Sequence, residues 1–99
     1  MVETISSLSR EYLPFFVRGA TGVEQVEVAF TVPGVEPVEG DWHDAEWKPD
    51  SVTEHGATAR ILFGPGGTVA RPDGTYQAWV RVTATVEQPV LPAGLIDVI

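Results

Sequence analysis

Apolar and polar residues alternate with a period of two along most of the chain. No window places apolar residues at i, i+3, i+4 and i+7 without also containing Gly or Pro. The clearest run is Thr75 to Glu87. Tyr76, Ala78, Val80, Val82, Ala84 and Val86 fall on one face, and Gln77, Trp79, Arg81, Thr83 and Thr85 on the other. Such alternation predicts a strand with one buried and one wet face. Each buried valine then contributes about 1.5–3 kcal/mol before entropy is counted.

A second strand is predicted from Glu24 to Val32, with Val26, Val28, Phe30 and Val32 inward and Glu27, Ala29 and Thr31 outward. Glu11 to Arg18 reads as a strand interrupted by Pro14. Proline cannot donate to a ladder, so this strand is expected at an edge or with a bulge. Gly19 to Gly22 is expected to join these two strands as a hairpin. Ala57 to Phe63 is a further strand that stops at Gly64-Pro65-Gly66-Gly67. Arg71-Pro72-Asp73-Gly74 is a turn leading into Thr75. Gly94 to Ile99 is expected as a last strand, tied into the sheet rather than frayed. Asp41 to Trp47 could form a short strand flanked by loops. These elements predict an all-β, antiparallel β-sandwich of about seven strands, since edge strands remain and a closed barrel has none.

The 99 residues fit one domain, spanning residues 1–99. Ten Gly and eight Pro are scattered between the strands as turn punctuation rather than gathered into a linker. Cysteine is absent, which excludes disulfides and thiolate chemistry and leaves burial and backbone pairing to stabilise the fold. The net charge of −8 argues against contact with nucleic-acid phosphates and favours a neutral or basic partner. The first residues carry neither a basic nor an apolar signal region, and Leu13 to Val17 is far too short to cross a bilayer. A soluble protein without membrane contact is expected.

Candidate chemistry is sparse. Ser6, Ser7, Ser9 and Ser51 lie outside any Gly-x-Ser-x-Gly element. His43 and His55 stand near Asp41, Asp44 and Glu54, but in no zinc spacing, and the acids of this region lack the order of a calcium loop. Gly64 to Gly67 lacks the Lys and Ser/Thr of a phosphate loop. No metal, cofactor or enzymatic activity is therefore expected. Residues 36–54 hold seven of the fourteen acids and read as a solvated acidic face.

The tryptophans are more informative. Trp42 and Trp47 are five residues apart, so an unbroken strand would put them on opposite faces. Trp79, on the polar side of the best strand, either packs beneath a loop or anchors an interface. The candidate interface set is Trp79, Trp42, Trp47, Arg81, Phe15 and Phe16.

Four segments together resemble small proteins of actinobacterial phages and prophages that are encoded among virion-structural genes. They are Asp41-Trp42-His43, Phe63 to Thr68, Gly74 to Thr83 with its Tyr-x-x-Trp-Val-x-Val pattern, and Pro89 to Gly94. The similarity runs from about Tyr12 to Ile99, while Pro14-Phe15-Phe16 departs from a plainly alternating first strand. The resemblance implies an immunoglobulin-like fold and a non-enzymatic place in the virion, the protein being made in the bacterial host cytoplasm. Its partners would be the phage major capsid protein or other virion proteins, in many symmetric copies. The role implied is a capsid decoration or head accessory protein, or else a head–tail connector or tail component. A carbohydrate-binding module is the reading from a different class, with the tryptophans as sugar platforms.

Overall fold

The computed structural model describes residues 2–99, apart from the side chain of Val2. Eight strands form in chain order: β1 (Val2–Ile5), β2 (Glu11–Arg18), β3 (Gln25–Thr31), β4 (His43–Asp44), β5 (Glu46–Trp47), β6 (Gly56–Phe63), β7 (Gly74–Thr83) and β8 (Val90–Val98). One short 3-10 turn spans Glu39–Asp41. A five-stranded sheet, β1-β8-β7-β3-β4, faces a three-stranded sheet, β2-β6-β5. The result is an all-β sandwich. Its sheet pairing, with β8-β7-β3 opposite β2-β6-β5 and the short β4 beside β3, is the strand order of immunoglobulin-like domains.

Period-two patterning decides which side chains meet. Leu13, Phe15 and Val17 of β2 and Ala57, Ala59, Ile61 and Phe63 of β6 are buried from one side. Val26, Val28 and Phe30 of β3, Ala78, Val80 and Val82 of β7, and Ile96 and Val98 of β8 are buried from the other. Phe30 meets Phe63 edge-on across the gap, with ring centroids 5.1 Å apart and planes at 68°. Such a pair contributes about 0.5–1.5 kcal/mol beyond its buried area.

At the entry to β7 the Tyr76 hydroxyl donates to the Pro72 carbonyl at 2.6 Å. This ties the turn to the strand in the manner of the tyrosine corner found in sandwiches of this topology. Ala78, two residues on and fully buried, stands where antibody domains carry a disulfide cysteine. Gly56 and Gly64, at the two ends of β6, have φ of 149° and 121°. A Cβ at these positions would run into the Val17 and Ser9 carbonyls, so β2 lies against β6 only because both are glycine.

The structure corrects several expectations. β2 and β3 lie in different sheets, so residues 19–24 cross between layers and form no hairpin. Two consecutive strands with one apolar face each bury both by facing one another. The crossing loop is fastened by the Glu24 carboxylate, which accepts from the Thr21 and Gly22 amides. β7 ends at Thr83, and Val86 is 92% exposed in the turn to β8, where the Ala84 amide donates to the Glu87 carbonyl. Val32, expected inward, is exposed beyond the end of β3. β8 begins at Val90, earlier than Gly94, and its pairing with β7 shifts register between Gln77 and Trp79.

β1 had no counterpart in the alternation pattern. It pairs parallel with β8, so the five-stranded sheet is not purely antiparallel. Pro14 does sit on an edge strand. It pairs with Arg60 in register, and its missing amide faces away from β6.

Replacing Val80, 3% exposed, with Asp should unfold the domain, because a buried unpaired carboxylate costs several kcal/mol. A melting transition unchanged from wild type would refute this core assignment. Tyr76→Phe should lower stability by about 0.5–1.5 kcal/mol, read by urea unfolding at constant m.

Candidate functional site

The outward face of the five-stranded sheet is not the plain wet surface that alternation suggests. Ala29 and Thr31 of β3 point outward yet are buried, because residues 32–42 and Trp79 fold over them. The Trp79 indole N–H donates to Thr31 Oγ1 at 3.0 Å, and Thr31 Oγ1 donates to the Val35 carbonyl at 2.6 Å. One side chain thus fastens both the tryptophan and the overlying segment. The Trp79 ring packs against this segment, with part of it still open to solvent.

Arg81, two residues along β7, is the electrostatic centre of this face. Its Nε and Nη2 donate to the two Glu27 carboxylate oxygens at 2.9 and 3.0 Å, a bidentate pair across neighbouring strands. Its Nη1 donates to Glu39 at 2.8 Å, and its guanidinium lies 4.6 Å from the centre of the Trp42 ring. The Arg81 side chain is 13% exposed, whereas Glu39 is 80% exposed. The hydrogen bond to Glu27 is the largest cause raising the Arg81 pKa, burial opposes it, and Glu39 adds to the rise. The fixed part of the site is therefore Arg81 with Glu27, and Glu39 is a solvated partner worth little by itself.

Above these groups lies an open groove of about 420 Å³ lined by Glu36, Pro37, Glu39, Trp42, Trp79, Arg81 and Val90. The structure thus brings Trp42, Trp79 and Arg81 of the candidate set together and sends the other three elsewhere. Trp47 belongs to the other sheet, because the chain crosses between layers at Ala45, whose amide donates to the Val26 carbonyl. The Trp47 indole donates to the Glu24 carbonyl at 2.7 Å and packs against the core. Phe15, offered as an interface residue, is 7% exposed and belongs to the core, since Pro14 does not shift the inward parity of Leu13, Phe15 and Val17.

Phe16 lies on the outer face of the three-stranded sheet and is 57% exposed, near Tyr12 at 45%. Arg60 stacks on Tyr12 at 3.9 Å and bonds Glu46 at 3.3 Å, while Arg18 continues the same face beyond Phe16. Tyr12, Arg18, Glu27, Glu36 and Glu39 were not singled out beforehand. Arg81 opposite Glu27 was legible only once β3 and β7 were known to pair.

His43 and His55 do not come together. His55 sits on an exposed turn beside Glu54, and His43 Nε2 lies 3.5 Å from Arg71 Nη2. Burial, then the Arg71 charge, hold the His43 pKa below its ordinary 6.5, with Asp41 offsetting part of the shift.

The chain matches no family model, no curated protein and no solved structure.

Thr31→Val should cost about 1–3 kcal/mol, because it strands the Trp79 N–H and releases the Val35 carbonyl. It should also increase solvent quenching of tryptophan fluorescence, and unchanged quenching would show that Thr31 does not fasten the segment. Below about pH 6.5 the unfolded chain binds a proton at His43 that the folded ring resists. Stability from this group is present above that pH and is lost as pH falls from there through the lower folded value. Thermal melts from about pH 7.5 to 5 should show a decline that His43→Gln reduces, and an identical slope in the variant would remove His43 as the cause.

Proposed function

We propose that this protein is a non-enzymatic structural component of a bacteriophage virion, a capsid decoration or head accessory protein that docks on the shell in many copies. The sequence resemblance supplies the virion. The observation that supports docking is Phe16, 57% exposed on the outer side of the three-stranded sheet, with Tyr12, one face of its ring covered by Arg60, on the same face of the strand. A patch of this kind gains free energy when a partner surface covers it. The side chains that looked most chemical, Arg81 and the tryptophans, are held in pairs and hydrogen bonds that position surfaces.

A head–tail connector or tail component has the same physical requirements and differs in copy number, with rings of about a dozen or fewer expected from closed cyclic symmetry. Carbohydrate binding is favoured by one observation, the groove between Trp42 and Trp79 with Glu36 and Glu39 at its rim. One face of Trp42 is already occupied by Arg81, which reduces the platform left for a sugar ring.

Quantitative mass spectrometry of purified particles should find this polypeptide at hundreds of copies per virion. A count near twelve would move it to the connector, and its absence from particles would end the virion reading. A glycan array should stay blank, and binding abolished by Trp42→Ala would instead establish the carbohydrate module.

A further inference from the structure

We propose that copies of this chain associate head to tail, the three-stranded face of one seated on the Trp42–Trp79 groove of the next. The inference rests on the virion reading and deepens it: the surface that covers the Phe16 face is the groove of another copy, so only the terminal molecule of a row offers that face to the shell.

The two outer faces of the sandwich carry complementary chemistry. On the groove side, Glu27, Glu36 and Glu39 surround the single Arg81, so the face is acidic over an apolar floor of Trp79 and Val90. On the opposite side, Phe16 is exposed and Arg18 lies on the same strand face two residues on. That spacing is about 7 Å, which lets an aromatic ring and a guanidinium engage one groove together. Arg18 and Glu36 make no ion pair within the chain among the described residues. Arg60, by contrast, is already committed to Tyr12 and Glu46. Seating Phe16 over Trp79 and Val90 would bring Arg18 to the Glu36 rim.

Size permits the contact. The molecule measures 36 × 27 × 25 Å, and a face of that outline can offer the ~800 Å² per partner of a standard interface. The net charge of −8 opposes association at long range. At physiological ionic strength that repulsion is screened beyond about 8 Å, whereas a contact pair is not. Because the two faces are on opposite sides, the contact is heterologous, and it propagates into a ring or an open row rather than stopping at a dimer.

Sedimentation velocity over about 10 μM to 1 mM, the range of weak protein contacts, tests this. Wild-type protein should sediment progressively faster with concentration. Glu36→Lys and Arg18→Glu, both at exposed positions, should each weaken association by about tenfold or more through like-charge contact. An equimolar mixture of the two variants should associate again. In the mixture the lysine introduced in one variant faces the glutamate introduced in the other, and the opposite contact restores the wild-type pair of Arg18 with Glu36. Wild-type protein that stays monomeric throughout overturns the proposal. So do single variants that associate like wild type, or a mixture that stays monomeric while wild type associates. None of these results alters whether the polypeptide is found in virions, so this inference and the virion reading fail separately.

Discussion

Phe30 and Phe63 come from different sheets and touch edge to face in the middle of the sandwich. With no cysteine in the chain, no disulfide joins the layers, and such contacts together with the buried aliphatic side chains around them carry the packing between sheets. This places a strict demand on strand parity. A slip of one residue in β3 or β7 would turn Val28 or Val80 to solvent and bring Glu27 or Arg81 into the core. The register that buries the valines is the same register that sets Arg81 opposite Glu27, so the surface ion pair is a by-product of core packing.

From that register the outer surface follows. Arg81 and Trp79 stand side by side on β7, and residues 32–42 have to cross them on the way from β3 to β4. Trp42 and Glu39 land on Arg81, and Val35 is held by Thr31. The crossing at Ala45 then carries the chain to the other sheet within a few residues. A sequence stretch that looked like one short strand is therefore two shorter strands in two layers, and Trp42 and Trp47 part company.

What could be read from the sequence is what depends on local alternation. β2, β6 and the central part of β7 were legible, as were their buried residues and the edge position of Pro14. Partnership between strands was not legible, because alternation states which face is buried and is silent about what buries it. The crossing at residues 19–24 therefore looked like a hairpin. β1 escaped notice because its four residues, Val-Glu-Thr-Ile, show no period-two alternation, and its parallel pairing with β8 joins segments far apart in the sequence. Of the candidate set, Trp42, Trp79 and Arg81 meet at one groove, while Phe15 is buried because the alternation of β2 continues undisturbed through Pro14.

Pro14 also bears on how such a domain tolerates crowding. The outer margin of β2 has no neighbouring strand among the described residues, and an unpaired backbone margin invites uncontrolled joining into cross-β fibres. Lacking a donor at its middle, that margin interrupts any incoming ribbon after a few residues. Molecules packed at high local density can then meet through side-chain surfaces, which are selective, rather than through main-chain ladders, which accept almost any sequence.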